Sequence, residues 1–256
     1  MLHKIIEISK EAGSVIKKGF GEKLTLEYKT NVTDFVTNID KASEKMIIDF
    51  IAEEFPKHNI LAEESGGDNK GSEYTWVIDP LDGTMNFANG LPIFAVSIGV
   101  IKGAELVAGV VYDVMNDVIF AAEKGSGAFQ NDKKISVKNN SELEKAFVVT
   151  GFPYNIVDNP DRAMERFNSM LKHATGVRRL GSAALDLCYV ANGIFDGFWE
   201  VSLKPWDMAA GMLLVKEAGG MLSDFDNKEV TVFTKQLLAS NGYLHRSLLD
   251  VINLKK

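Results

Sequence analysis

The sequence predicts an α/β protein, on three observations. Apolar or small residues recur at helical spacing at Leu2, Ile5, Ile6, Ser9, Ala12, Gly13, Ile16 and Phe20, and again at Ile39, Ser43, Met46, Ile47, Phe50 and Ile51. Between Pro92 and Val137 the pattern changes to β-rich runs separated by turn residues, and from Ala146 onward helical and strand signals alternate.

Taken in order, two amphipathic helices lead the chain. Phe94–Ile101, Glu105–Val114, Val118–Ala122 and Ala128–Val137 then read as an antiparallel meander, turned at Lys102-Gly103, Asn116-Asp117 and Gly125-Ser126-Gly127. Ala146–Thr150 predicts a strand, Asp161–His173 a helix and Val177–Leu180 a strand. Ser182 is placed to cap a helix that runs to Asn192, with Gly193 beyond its end, and Phe195–Glu200 is a further strand. Pro205 pre-sets the first turn of a helix that reaches Ala218 and stops at Gly219-Gly220. Strands near Met221–Ser223 and Leu237–Ser240 and a helix near Tyr243–Ile252 complete the alternation. The acidic, glycine-rich Ser65–Glu73 stretch reads as a mobile surface loop, and Asp224–Thr234 as a second. A boundary near residue 140 separates 1–140, a helix pair with an antiparallel sheet, from 141–256, an α/β half. The two are expected to form one compact unit.

Bulk properties narrow the function. A net charge of −7 over 256 residues argues against a general nucleic-acid surface, which needs a basic stripe. The single cysteine, Cys188, sits in an apolar pattern, so no intrachain disulfide forms and a reducing compartment is expected. The start, Met1-Leu2-His3-Lys4-Ile5-Ile6-Glu7, is charged and amphipathic rather than a signal peptide, and the longest clean apolar run, Ile93 to Ile101, is too short for a bilayer. A cytoplasmic protein without membrane association is expected. His3, His58, His173 and His245 have no paired metal spacing and read as surface residues, while Trp76 and Trp206 are expected to pack beside the site.

The most informative stretch is Asp79-Pro80-Leu81-Asp82-Gly83-Thr84, where two carboxylates stand three residues apart as the apolar strand Thr75–Ile78 breaks into a turn. Asp79 would close the strand, Pro80 would fix the turn, and Gly83 and Thr84 would open a short helix with free N–H groups. That combination points to metal-assisted phosphate chemistry. Glu63-Glu64-Ser65 follows another apolar stretch, Ile60–Ala62, and Trp206-Asp207-Met208-Ala209-Ala210-Gly211 opens an apolar helix much later.

These segments, with Met85-Asn86-Phe87 after the core motif, resemble the inositol monophosphatase family of Mg-dependent, lithium-sensitive sugar phosphatases, from the first helix to about residue 242. The resemblance implies an alternating αβαβα sandwich, a layer order that periodicity alone does not give. It also implies two or three Mg²⁺ ions, lithium inhibition and a homodimer. Glu63, Asp79 and the Leu81 carbonyl would hold one ion, and Asp79, Asp82 and Asp207 a second. One ion would activate a water and the other would neutralise the phosphate and leaving alkoxide. Catalysis would fall to Glu63, Asp82, Thr84 and Asp40, with Asp40 orienting the Thr84 hydroxyl. Substrate would meet Glu63, Leu81, Asp82, Gly83, Thr84 and Asp207 on the phosphate side, and Gly181, Ser182, Ala183 and Glu200 on the sugar side.

Each residue also has a plainer reading. Asp79 alone could be a turn residue, Glu63 or Lys29 a solvated charge, and Asp207 an acid favoured by a helix dipole. Thr37 and Asp40 form a capping box, and Ser182 is a cap. The implied reaction is hydrolysis of inositol 1-phosphate, with fructose 1,6-bisphosphate or dual specificity as the alternative within the class. A binding protein of a transcription complex is the alternative of another class.

Overall fold

The computed structural model describes residues 1–29 and 33–255. The chain opens with α1 (Leu2–Gly19), an antiparallel pair β1 (Leu26–Tyr28) and β2 (Phe35–Thr37), and α2 (Asn38–Glu54). Next come β3 (Asn59–Ala62), β4 (Gly66–Asp68), β5 (Tyr74–Asp82), α3 (Thr84–Ala88), β6 (Ala95–Lys102), β7 (Glu105–Asp113), β8 (Val118–Glu123), β9 (Gly127–Gln130) and β10 (Lys133–Ile135). The remainder is β11 (Phe147–Thr150), α4 (Ala163–Leu171), β12 (Gly176–Arg178), α5 (Ala183–Ala191), β13 (Gly197–Val201), α6 (Pro205–Glu217), β14 (Met221–Ser223), β15 (Gln236–Ser240) and α7 (His245–Ile252).

Strands β3 to β10 form an eight-stranded sheet in the order β10-β9-β8-β7-β6-β5-β3-β4, and β11 to β15 a five-stranded sheet in the order β12-β11-β13-β15-β14. Period-two alternation decides what each face meets. On β6, Val96, Ile98 and Val100 join Ile5, Ile8, Ile47 and Ile51 of α1 and α2 in one core. The opposite face packs on α5 and α6, where Leu187, Met208 and Leu213 fill a second core shared with Val149, Phe198 and Leu237 of the five-stranded sheet. A third core joins Val148, Trp199 and Leu238 to Met170 of α4 and Leu248 of α7. The result is the αβαβα sandwich.

Helix α6 lies unusually close to the eight-stranded sheet. Gly99 and Gly109 are register partners on β6 and β7. A Cβ on Gly99 would meet the Ala209 Cβ at 2.8 Å, and one on Gly109 the Ala210 Cα at 2.9 Å. Two facing glycines therefore let helix backbone rest on sheet backbone, and the first turn of that helix carries Asp207.

Several expectations need correction. The Ser65–Glu73 stretch is not a free loop: β4 pairs antiparallel with β3, and Asn59 Oδ1 accepts the N–H groups of Lys70 and Ser72 at 2.8 and 3.1 Å. Ala128–Val137 is a hairpin rather than one strand, because Asn131 turns with φ 52° and its side chain accepts the Ile119 N–H. Helix α4 starts late, since Asp161 and Arg162 adopt left-handed conformations. His58 is wedged between Phe55 and Tyr74, with ring centroids 5.1 and 4.8 Å away, and accepts the Trp76 indole N–H. His245 is buried between Ser240 and Ser223 at 2.8 Å each, and burial lowers its pKa to about 4. Cys188 is fully buried, as its apolar surroundings predict.

Gly109→Val should cost about 1–3 kcal/mol by overpacking the helix–sheet contact. A urea unfolding curve checks this, and an unchanged midpoint would show that α6 has slack.

Candidate functional site

The carboxylates are assembled by strand register. β3 and β5 run parallel with Ala62 opposite Ile78, which sets Glu63 beside Asp79; the Glu63 N–H donates to the Ile78 carbonyl at 3.1 Å. β5 does not end at Asp79 as its sequence predicts but runs on to Asp82 through a register shift. Asp79 pairs with Ser97 and Asp82 with Ala95, so three steps on β5 match two on β6. An unbroken pleat would send residues 79 and 82 to opposite faces; the bulge brings both to one pocket. Pro80 sits in that bulge with no N–H to leave unpaired. The Leu81 N–H donates to Asp79 at 3.0 Å, and Ser43 Oγ of α2 donates to the Pro80 carbonyl at 2.8 Å. Gly83 follows with φ 97°, where a Cβ would meet the Ile93 carbonyl oxygen at 2.9 Å. Asp207 arrives from the first turn of α6, accepting the Lys204 N–H at 2.7 Å.

Glu63, Asp79, Asp82 and Asp207 thus line one cavity of about 280 Å³ with Leu81, Gly83, Thr84, Gly181, Ser182, Ala183 and Glu200. Only Asp40, behind Thr84, is absent from the lining among the sequence-predicted residues. Burial raises the pKa of Asp79, and Glu63, Asp82 and Asp207 raise it further. Burial likewise raises Asp207, and pushes Asp82 up to about 6 although Ser182 and Ala184 hydrogen bonds oppose the shift. Lys29 offsets part of this charge. Its ammonium pairs with Glu63 at 2.9 Å and Glu64 at 2.7 Å, and although burial disfavours its charged form, the two carboxylates leave its pKa raised. Glu64 itself is pushed up to about 7, first by burial and then by Glu63.

Asp40 makes hydrogen bonds on two sides. One carboxylate oxygen closes the α2 capping box, accepting the Thr37 N–H at 2.9 Å and a short bond from the Thr37 hydroxyl. The other accepts the Thr84 hydroxyl at 2.8 Å, nearer than the alternative acceptor, the Leu81 carbonyl, at 3.0 Å. On the far side, Asp82 accepts the Ala184 N–H at 2.9 Å and a short bond from the Ser182 hydroxyl, which ties β5 to the start of α5. Asn86 makes a second tie, donating to the carbonyls of Ile93 and Leu180 at 2.8 Å each.

Sequence reasoning missed Glu44, whose carboxylate accepts the N–H groups of Glu64 and Ser65 at 2.8 Å each and so fixes the Glu63 loop. It also gave no role to Asn86 or to Asp186, which lines the cavity. No local spacing marks these residues, because their partners are distant in sequence. Trp206 lines the cavity, whereas the Trp76 indole turns to His58.

The donor set is all hard oxygen, which suits Mg²⁺ or a similar hard cation. Among the described residues no three acidic, His or Cys side chains stand close enough to cage an ion without adjustment. The four carboxylates would draw in around one, and Lys29 marks where positive charge is already accepted.

A profile of the inositol monophosphatase family matches residues 1–254. The chain belongs to that family. Membership makes it a phosphatase of the inositol monophosphatase type. Relatives within the family include the Nus factor SuhB of Pasteurella multocida, 43% identical over 98% of this chain and 95% of that one. Another, the fructose-1,6-bisphosphatase/inositol-1-monophosphatase of Aquifex aeolicus, is 42% identical over 98% and 96%. Among solved structures, the extragenic suppressor protein suhB of Bartonella henselae superposes with a TM-score of 0.94 at 36% identity, covering 99% of this chain and 98% of that one. An IMPase/NADP phosphatase complexed with Mg²⁺ and phosphate superposes with a TM-score of 0.84 at 26% identity, covering 97% and 93%. Among the described residues no helix is long and apolar enough to cross a membrane.

Two outcomes follow for the family's site as it is built here. Ser182→Ala, which removes the α5 cap and a donor to Asp82, should cost about 0.5–2 kcal/mol in chemical denaturation. The raised pKa values of Asp82 and Glu64 mean that the folded form holds their protons more tightly than the unfolded form. Their contribution to stability is therefore greatest near pH 4 and falls as pH rises through about 6 to 7. In chelator the melting temperature of Asp82→Asn should lose part of that fall, and identical wild-type and variant pH profiles would contradict the assignment.

Proposed function

We propose that the chain is a Mg²⁺-dependent phosphomonoesterase that hydrolyses inositol 1-phosphate to inositol and phosphate. One observation carries the reading: four carboxylates from three separate segments meet a buried Thr84–Asp40 pair and the Gly181–Ala183 and Glu200 wall in one cavity. The similarity to a relative named for inositol-1-monophosphatase activity, and to a structure complexed with Mg²⁺ and phosphate, supports it.

Glu63, Asp79 and the Leu81 carbonyl would hold one Mg²⁺ and Asp79, Asp82 and Asp207 a second. Bound there, the ions supply nucleophile activation and neutralise charge on the phosphate and leaving oxygen. The protein's own part is positional. Asp40 holds the Thr84 hydroxyl proton, so the Thr84 oxygen presents lone pairs that orient the attacking water. The N–H groups of Gly83 and Thr84 receive the phosphate, and Glu200 accepts hydroxyls of the sugar. Ser182 and Ala184 fix Asp82, so the phosphate and sugar ends of the cavity keep their spacing. Lithium inhibition, a homodimer and a cytoplasmic location accompany this reading.

Phosphate release from inositol 1-phosphate and from fructose 1,6-bisphosphate, with and without Mg²⁺, tests it. Strong preference for the inositol ester is expected, and Asp82→Asn should remove activity while leaving the fold. Comparable rates on both esters would favour the dual specificity for which the Aquifex relative is named. A well-folded sample with no Mg²⁺-dependent rate would favour the reading as a binding protein of a transcription complex; the Pasteurella relative is named a Nus factor. Glu200→Gln should lower the preference for inositol 1-phosphate over an aryl phosphate roughly tenfold or more. Mg²⁺ should raise the melting temperature more at pH 8 than at pH 5, because protons compete for Asp82 at the lower pH; equal shifts would place the ion elsewhere.

A further inference from the structure

Among the described residues, the buried side-chain oxygens that have no hydrogen-bond partner are the two of Asp186. The residue is 1% exposed in the first turns of α5, and it lines the same cavity as Arg179, Ser182, Ala183 and Glu200. An acid at a helix start ordinarily turns to water or accepts a free backbone N–H. Here neither is open to it. The Ala184 N–H serves Asp82, the Leu185 N–H serves Ser182, and the Asp186 N–H is held by the Ser182 carbonyl. Burying a carboxyl without a partner works against folding, so its presence calls for a donor that arrives from outside the chain.

The neighbourhood indicates what that donor is. Asp186 and Glu200 line the same cavity, and after burial the Glu200 charge is the strongest influence holding the Asp186 carboxyl above its usual range. Glu200 in turn rests against Gly151, where a Cβ would meet its Oε2 at 2.1 Å. Two acceptors on one wall, with Arg179 as the cation whose charge reaches both, repel a second anionic group and welcome neutral donors. Adjacent hydroxyls on one ring fit that need, since each brings a proton and no charge.

We propose that Asp186 is a specificity-determining residue: its carboxyl, on the same cavity wall as that of Glu200, accepts hydrogen bonds from hydroxyls at the polyol end of the substrate. This rests on the phosphomonoesterase reading of the same cavity. Both Asp186 oxygens are closed to water in this conformation, so recognition includes a small side-chain adjustment at the cavity wall.

The test compares wild type with Asp186→Asn, with Asp186→Ser as the second variant should the first fail to fold. Three quantities are read in Mg²⁺: kcat/KM on inositol 1-phosphate relative to p-nitrophenyl phosphate, calorimetric binding of myo-inositol with inorganic phosphate present, and melting temperature. The kcat/KM ratio should fall roughly ten- to hundred-fold, with inositol binding weakened by a similar factor. The melting temperature should stay level, because burial already favours the neutral carboxyl and an amide of the same size replaces it. An unchanged ratio with unchanged inositol binding overturns the proposal, as does an equal loss on both esters. If wild type binds inositol and hydrolyses both esters while the variant keeps the ratio, the Asp186 assignment alone falls. If wild type hydrolyses neither, the phosphomonoesterase reading falls with it.

Discussion

Holding Glu63, Asp79, Asp82 and Asp207 in one pocket costs free energy, because burial penalises each ionised carboxylate and the Glu63 charge raises the pKa of the other three. Left to themselves, such groups would turn to water. The surrounding fold prevents that by giving most of them a fixed backbone donor or an element end as an anchor. Asp79 holds the Leu81 N–H, Asp82 the Ala184 N–H and Asp207 the Lys204 N–H. Glu63 is the exception, and it is the one held by a side-chain cation, Lys29. Folding energy stored in three apolar cores thus stabilises an arrangement that local electrostatics opposes.

The same economy explains why so many polar residues near the site have two partners. Asp40 caps a helix with one oxygen and orients Thr84 with the other. Ser182 donates to Asp82 while its oxygen accepts the Leu185 N–H. Glu44 accepts two consecutive N–H groups at the turn after Glu63. A plain structural role and a functional one are therefore not rivals at these positions, since the cap that starts the helix also aims the side chain.

Local chemistry was legible in the sequence wherever a few neighbouring residues decide the outcome. Ser182 before an apolar run, Pro205 at a first turn and the Asp79–Thr84 motif are of this kind, and the corresponding helix starts fall where they point. The layer order was implied by the family resemblance and not by periodicity. What stayed hidden depends on contacts far apart in the chain. The bulge between Asp79 and Asp82 exists only against β6, β4 needs Asn59 and β3, and the burial of His245 needs Ser223 from β14. Asp186 looked like one polar residue in an apolar helix, and only the full set of donors at the start of α5 shows that it has no partner.

The facing pair Gly99 and Gly109 has a mechanical consequence. Interatomic repulsion rises steeply once atoms touch, whereas attraction fades gently as they part. Where the two glycines face Ala209 and Ala210, no long side chain lies between α6 and the sheet to compress or rotate, and the contact behaves as a hard stop. Asp207 rides on the helix, while Glu63, Asp79 and Asp82 ride on the sheet. The closest approach of the layers that carry the carboxylates is thus gauged by atoms already in contact, and an incoming counter-charge cannot narrow the gap by pressing the two layers together.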